Sequence, residues 1–281
     1  MSVNKYQTVN FIKYFFIHIF LMAVALTCLF PLFWMARSAF MTKETIFVDK
    51  SLFPKILEFS NFSTAWVEGN FGIYFLHSVL YTAAVVISIV LIASLAAYAF
   101  SRLDFPGKNI FFYMFVLAMM IPLPGSFVPL VVLMNKLGLV NTRIGYILCM
   151  INVGLSVSIL LLKTFFDKMP SDLEDAARMD GCGRLGIWWH VALPLARPAI
   201  AVVVIFNSLN VWNEFILANL LLTDDALMTL QTGLYKFQGP NLADYPVLMA
   251  GLTISAIPII VIYLLMQKHI IKGLSSGAIF G

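Results

Sequence analysis

Long apolar runs alternate with shorter polar segments along this chain. Six runs are free of Asp, Lys and Arg, and only the fifth of them contains a Glu, Glu214. Each run is close to the roughly 20 residues that cross a hydrocarbon core of about 30 Å as a helix. The runs cover residues 14–36, 78–100, 110–134, 144–162, 199–222 and 245–266. The pattern predicts an all-α integral membrane protein with six transmembrane helices in a single domain, residues 1–281.

The third run contains residues that disturb a helix. Pro122, Pro124 and Pro129 each lack a backbone N–H, and Gly125 lies among them. Because proline removes a helical hydrogen bond and clashes with the preceding turn, we expect this helix to be kinked or broken.

The first run admits a second interpretation, a secretory signal peptide. Lys5 and Lys13 precede it, and the small residues Ala36 and Ser38 follow. A signal peptide has an apolar region of about 7–15 residues, which is shorter than this run. We therefore expect a retained helix.

The segment 171–198 is long, charged and rich in signals for helix ends. Ser171 and Glu174 have the spacing of a capping box, which predicts that a short helix begins there. Gly181 and Gly183 can take the left-handed conformation that ends a helix. A second and more apolar segment then runs from Leu185 to Pro194.

The predicted short helix has a narrow apolar face. Leu173, Ala176 and Ala177 share it at i, i+3 and i+4. The two alanines make the face flat, so that the groove of another protein can approach the backbone. The alternative is a helix lying on the membrane surface, which its acidic first turn disfavours.

Lys and Arg residues predict the orientation, because loops on the cytoplasmic side carry an excess of them. With six helices both termini lie on one side. The loops of that side carry eleven basic residues, against seven on the other. The eleven are Lys5, Lys13, Arg102, Lys108, Lys163, Lys168, Arg178, Arg184, Arg197, Lys268 and Lys272. The bias predicts cytoplasmic termini and places the segment 171–198, between helices four and five, in the cytoplasm.

Composition agrees with a membrane protein and excludes some functions. Hydrophobic residues make up 61% of the chain and charged residues 11%, far from the quarter or so of charged residues in soluble proteins. The net charge of +4 is spread without a dense basic run, which argues against nucleic-acid binding. Cys28, Cys149 and Cys182 are far apart and indicate neither a disulfide framework nor a zinc site.

Several motifs resemble one family. Asp175-Ala176-Ala177, then Gly181 and Leu193-Pro194, are similar to the EAA motif of ABC importer permeases. ARMDG at 177–181 and LPLARP at 193–198 resemble the carbohydrate-uptake subgroup, specifically the six-helix subunit of the maltose-type permease pair. KLGLVNT at 136–142, WNEF at 212–215 and KGLSSGAIFG at 272–281 fall where that subgroup places comparable text. The chain departs from the motif in having Asp175 where its leading Glu stands.

This resemblance implies a division of labour between subunits. The short helix would be a coupling helix that sits in a cleft of a separate ATPase subunit, which binds ATP and Mg²⁺ and drives alternating access. No cofactor is expected in this chain. The residues implied in the coupling contact are Leu173, Glu174, Asp175, Ala176, Ala177, Asp180 and Gly181. Ser275, Ser276 and Gly277 of the C-terminal tail are implied in a second ATPase contact, and the external loop 223–244 in contact with a sugar-binding protein.

Missing motifs are consistent with a subunit that has no motor of its own. The sequence contains no GxxxxGK[ST], and its nearest text, Pro106-Gly107-Lys108-Asn109, lacks the first Gly and the hydroxyl. Ion-coupled transporters keep several ionisable residues within their spans, whereas only Glu214 lies well inside one here. No Ser/His/Asp set, metal-ligand cluster or pair of intramembrane carboxylates indicates an enzyme.

A polar stripe on the fifth predicted helix is a candidate substrate pathway. Asn207, Asn210 and Glu214 follow one another at i, i+3 and i+7, with Asn213 and Trp212 beside them. Amides and carboxylates bond to sugar hydroxyls, and an aromatic face stacks on a sugar ring. The equal alternative is polar glue between helices, here against a second permease subunit.

The sequence thus predicts a permease subunit of an ATP-driven sugar importer in a bacterial inner or plasma membrane. Its expected partners are a second permease, two ATPase subunits, an extracytoplasmic sugar-binding protein and lipid. Two alternatives remain open: an ion-coupled transporter, and a membrane protein whose cytoplasmic loop docks a partner other than an ATPase.

Overall fold

The computed structural model describes residues 2–121, 123–235, 237 and 244–279. Within these ranges the side chains of residues 2–12, 123, 124, 266 and 268–279 lie outside the description. The described residues form helices and connecting segments and contain no β-strand.

Twelve helical segments account for the described architecture. They are α1 (Ser2–Ser38), α2 (Ser60–Val67), α3 (Phe71–Arg102), α4 (Lys108–Ala118), α5 (Leu123–Lys136), α6 (Arg143–Asp167), α7 (Asp172–Met179), α8 (Arg184–Leu195), α9 (Arg197–Asn213), α10 (Ile216–Leu221), α11 (Leu230–Tyr235) and α12 (Tyr245–Ile279). A 3₁₀ turn, Asp225–Leu227, lies between α10 and α11.

Four of the described helices are long and apolar enough to cross a membrane unaided. Their qualifying stretches are Lys13–Ser38, Phe71–Arg102, Arg143–Asp167 and Tyr245–Leu265, with mean hydropathies from 2.2 to 2.5. The pair α8 and α9 qualifies as a fifth only when taken together, and it is bent by 78°. The four unaided helices match the first, second, fourth and sixth predicted spans. Six unbroken spans are not seen among the described residues.

Helix breaks account for the two remaining runs. The third run is divided between α4 and α5, which are interrupted after Ala118, as its prolines predicted. The fifth run is divided between α9 and α10 at Glu214 and Phe215, where no proline or glycine stands. The second break was not predicted.

The described residues fold as two compact units, one within residues 1–69 and 236–254 and the other within residues 70–235 and 255–281. In the second unit, α3 and α6 pack along each other's length. Buried residues of α3 recur every fourth position, and those of α6 do the same, so that each helix presents one i, i+4 row to the core. The rows are Tyr81, Val85, Ile89, Ala93 and Ala97 on α3, and Tyr146, Met150, Gly154, Ser158, Leu162 and Phe166 on α6.

In the first unit, a buried arginine organises the segment that follows α1. The Arg37 guanidinium donates to the carbonyl oxygens of Asp49 at 2.8 Å and Ser51 at 2.7 Å. It also lies 4.5 Å from the centre of the Trp34 ring. The Ser51 backbone N–H donates to the Asp49 carboxylate at 2.8 Å, and this bond is the main reason that the pKa of Asp49 is lowered. The segment that follows α1 is therefore an ordered loop, tied to the end of α1.

Candidate functional site

Helix α7 lies within the segment 171–198 and ends as the sequence predicts. Gly181 has a φ of +83°. The Gly181 N–H donates to the Arg178 carbonyl and the Cys182 N–H to the Ala177 carbonyl, which are the two bonds of a Schellman motif. Gly183, by contrast, has a φ of −73° and is extended. Only the first of the two glycines needs the left-handed conformation.

The start of α7 corrects the predicted capping box. Ser171 has helical backbone angles and makes no side-chain cap bond. Instead, its carbonyl oxygen accepts from the N–H groups of Glu174 and Asp175. The Glu174 side chain turns inward to Arg102, with Nε and Oε1 3.2 Å apart, so it does not reach back to the cap. A partly buried cation thus replaces the capping box as the partner of this carboxylate.

The two faces of α7 differ from the predicted arrangement. Glu174 and Ala177, both expected in the coupling contact, are buried at 4% and 8% exposure and face the protein's own core. Leu173, Ala176 and Met179 are exposed, Met179 at 90%. The prediction of a flat outer face that includes Ala177 is therefore wrong, because Ala177 packs into the hydrophobic core.

The outer face of α7 is apolar along a row and acidic beside it. Asp175 and Asp180 are exposed, and Asp175 pairs with Arg178 at 3.0 Å. Leu185, after the glycine turn, is also 72% exposed. Sequence reasoning missed Met179 and Leu185, although Met179 follows Ala176 at the helical spacing of three.

Helix α8 links this segment to α9. Its middle turn, Trp188–Ala192, is a π-helix, and Trp188 and Ala192 are buried while Trp189 is half exposed. The bend of 78° follows at Ala196, two residues before Pro198. A π-turn inserts an extra residue into the helical hydrogen-bond pattern and is common at functional sites.

The polar stripe of α9 does not form a single surface. Asn207 is 1% exposed, and its amide donates to Ser158 Oγ at 2.9 Å and to the Val203 carbonyl at 2.8 Å. Its predicted place in a substrate pathway is corrected, because both amide hydrogens are occupied between α9 and α6. Asn210 and Asn213 are exposed.

Trp212 belongs to the packed interior. Its indole N–H donates to the Ser255 carbonyl at 3.1 Å, and its ring meets Phe75 edge-on with centres 5.5 Å apart. The ring is 4% exposed. We therefore assign it to packing and not to sugar stacking.

Glu214 holds the start of α10. Its two carboxylate oxygens accept from the N–H groups of Leu217 at 2.6 Å and Ala218 at 2.8 Å. The first N–H groups of a helix lack partners within the helix, and a carboxylate there also suits the helix dipole. The observed contacts are those of a cap at a helix break, in the place where sequence reasoning offered a sugar contact or interhelical glue.

The KLGLVNT turn holds the other end of α10. Asn141 has a φ of +57°, and its side-chain oxygen accepts from the N–H groups of Thr223 at 3.1 Å and Asp224 at 2.9 Å. The Asn141 N–H donates to the Leu221 carbonyl at 2.7 Å. The sequence analysis assigned no role to Asn141 itself, although asparagine tolerates the left-handed conformation at turns.

We expect Asn141→Ala to lower the free energy of unfolding by about 2 kcal/mol, since it removes two hydrogen bonds and strains a left-handed position. Thermal unfolding of the purified protein in detergent measures the loss. Asn141→Asp keeps the accepting oxygen and tolerates the same backbone, so it should unfold close to the wild type. An unchanged midpoint in the Ala variant would show that the bonds to residues 223 and 224 contribute nothing.

The predicted C-terminal contact is only partly described. The backbone of residues 275–277 belongs to α12. The side chains of Ser275 and Ser276, and what surrounds Gly277, lie outside the description. Among the residues that the structure does describe, no group of three His, Cys, Asp or Glu is placed to hold a metal ion.

Known proteins resemble the chain in sequence and in fold. A family model described as the binding-protein-dependent transport system inner membrane component matches residues 89–276. A probable ABC transporter permease protein of Bacillus subtilis, YurM, is 36% identical over 95% of this chain and 87% of its own. The diacetylchitobiose uptake permease NgcG of Streptomyces coelicolor is 31% identical over 92% of this chain and 87% of its own. The arabinooligosaccharide permease AraQ of Bacillus subtilis is 30% identical over 94% of both.

A solved structure shares the fold. It is a chain from the crystal structure of a bacterial ABC transporter involved in the import of the acidic polysaccharide alginate. The TM-score is 0.82 at 24% sequence identity, and the match covers 93% of this chain and 98% of the other.

Proposed function

Since the chain belongs to the family of binding-protein-dependent transport system inner membrane components, we propose that it is the subunit through which an ABC importer passes a sugar or oligosaccharide. The relatives NgcG and AraQ are named for diacetylchitobiose and arabinooligosaccharides, which supports a carbohydrate as the cargo. The chain provides the route by which the sugar crosses the membrane, and a partner subunit hydrolyses ATP.

The proposed coupling contact with the ATPase rests on the outer face of α7. Leu173, Ala176 and Met179 form an exposed apolar row on a short helix in a charged segment. Such a helix is too short to be stable alone and depends on packing. The inner side is packed by this chain through Glu174 and Ala177. An ATPase cleft over the outer row would complete the packing, with Asp175 and Asp180 at its edge.

We further propose the topology and the remaining partners. The pairs α4 with α5 and α9 with α10 each act as one interrupted span, which gives six crossings and cytoplasmic termini in one permease domain. The second permease completes the pathway, and Asn210 and Asn213 of this chain face it. The tail at residues 275–277 contacts the ATPase, and the segment 223–244 meets an extracytoplasmic sugar-binding protein. The chain itself lies in a bacterial inner or plasma membrane.

Purification tests the assembly directly. The chain is expressed with its neighbouring transport genes, extracted in detergent through a tag, and its partners are identified by mass spectrometry. A P-loop ATPase and a second permease should be recovered together with it. A pure, folded chain that brings no ATPase would contradict the proposal.

Gly181→Ala should weaken coupling, because only a residue without a Cβ takes a φ of +83° at little cost. No atom lies within 4 Å of an added Cβ, so the strain of about 1–2 kcal/mol comes from the backbone alone. The matched control is Gly183→Ala, where the space is equally open but φ is −73°. Uptake of labelled oligosaccharides by cells should fall in the first variant and persist in the second. Equal uptake in both would show that the turn after α7 is not under functional constraint.

A further inference from the structure

One arginine joins the coupling segment to two membrane-spanning helices. Arg102 is the last residue of α3, and its side chain is 15% exposed. Its Nη2 donates to the carbonyl oxygens of Phe166 and Met169 at the end of α6. Its Nε lies 3.2 Å from Oε1 of Glu174 on α7. A single guanidinium on α3 therefore contacts both the end of α6 and α7.

The chemistry of these contacts suits arginine and no other cation. The last carbonyl groups of a helix lack partners within it and carry partial negative charge. The rigid guanidinium offers five N–H donors in a planar fork, so Nη2 donates to two carbonyls while Nε lies beside a carboxylate. A lysine ammonium is a compact charge on a flexible stem and does not hold three partners in a fixed geometry.

The link to α7 is a buried ion pair, whose closest atoms, Arg102 Nε and Glu174 Oε1, are close in space without forming a hydrogen bond. The Glu174 side chain is 5% exposed, and a carboxylate removed from water needs a paired cation. Arg178, on α7 itself, approaches the same carboxylate only at 3.7 Å and is 57% exposed. Arg102 is thus the partner that comes from a spanning helix, whereas Arg178 moves with α7.

The end of α6 is tied to α3 a second time at this point. Ser101 Oγ donates to the Asp167 carboxylate at 2.7 Å. This carboxylate also pairs with Lys163 at 2.8 Å within α6. The ends of α3 and α6 are therefore joined to each other, and Arg102 joins α7 to both.

We propose that Arg102 is a positioning residue that makes α7 move as one body with α3 and α6. The proposal rests on the proposed function, in which an ATPase displaces α7. Displacement of α7 moves Glu174, and the Arg102 guanidinium transmits this displacement to the ends of both spanning helices. Without it, α7 has no ion pair with α3 among the described residues.

Spin-label distances within the purified complex test the link. One label is placed at Asp172→Cys on α7 and another at Ile144→Cys at the opposite end of α6, both exposed positions. Cys28 and Cys182 are replaced by serine, and Cys149 is buried. Distances are measured without nucleotide and with ATP in the absence of Mg²⁺, which permits binding without hydrolysis. The wild type should keep one distance in both conditions, since the two helices move together.

In Arg102→Met, the distance between the two labels should change when ATP is added, because α7 then shifts without α6. Glu174→Gln keeps the side-chain shape but removes the charge, and it should show the same change. Arg102→Lys should be intermediate. The matched control is Lys163→Met, which removes the exposed ion pair at the same end of α6 and should keep the wild-type distance.

Three outcomes would overturn the proposal. A single unchanged distance in Arg102→Met and Glu174→Gln would show that the pair transmits nothing. Loss of the ATPase from both purified variants would show that the pair holds the assembly together and does not transmit motion. A change of distance in the wild type itself would show that α7 moves independently. Failure of the proposed function is separate, since it appears as a wild-type complex that contains no ATPase.

Discussion

Gly154→Ala is expected to lower the free energy of unfolding by about 3 kcal/mol, since it places an atom in an occupied core. An added Cβ would lie 2.0 Å from Oδ1 of Asn207 and 2.6 Å from Cδ1 of Ile89. The Ile89 side chain can rotate, but Asn207 is held by its bonds to Ser158 and Val203. The substitution thus separates α6 from α9 or breaks that bond network. A lower yield of folded protein and a lower unfolding temperature in detergent measure the effect.

Two further variants show whether the clash is the cause. Gly125→Ala also changes a helical glycine, but no atom lies within 4 Å of the added Cβ, so stability should be unchanged or slightly raised. Asn207→Ala removes the oxygen that collides, and the double variant with Gly154→Ala should be more stable than additivity of the two single changes predicts. Strict additivity in this cycle would contradict the assigned contact.

Apolar runs and proline positions predicted what depends on local sequence alone. A run of about 20 apolar residues has few alternatives to a membrane helix, because every backbone group in lipid needs an internal partner. The four long spanning helices were therefore predictable. The break between α4 and α5 followed from the prolines of that run, and the Schellman turn followed from Gly181.

Contacts between distant residues were not predictable in the same way. Nothing in the sequence relates Glu174 to Arg102, and the local capping-box spacing pointed to Ser171 instead. Likewise, the residues around Glu214 contain no helix breaker, so the break depends on the folded arrangement. The stripe on α9 illustrates the limit, since Asn207 faces Ser158 while Asn210 is exposed only three residues later.

The breaks and the buried pair describe one mechanical arrangement. Side chains hold both ends of α10, Glu214 at its start and Asn141 just after its end. At the opposite end of α6 from Asn141, Arg102 joins α7 to the spanning core. The long, continuous α6 lies between these two groups of contacts. The continuous α6 therefore connects the ion pair of α7 with the turn that holds α10.

Glu214→Ala should cost about 2–4 kcal/mol of stability, because it leaves two buried backbone N–H groups without their acceptor. Leu217 and Ala218, whose N–H groups lose that acceptor, are fully buried. Unfolding temperature in detergent and oligosaccharide uptake in cells should therefore fall together. Glu214→Gln keeps one accepting oxygen and should lose about half as much stability.

Asn210→Leu separates the two interpretations of the stripe. Asn210 is exposed, so this change should leave the unfolding temperature and the recovery of partner subunits unchanged while lowering uptake. Loss of assembly in Asn210→Leu would instead favour polar glue against the second permease.

A Glu214→Ala protein that unfolds like the wild type but transports nothing would return Glu214 to the substrate pathway, because a helix cap cannot be removed from a buried break without a loss of stability.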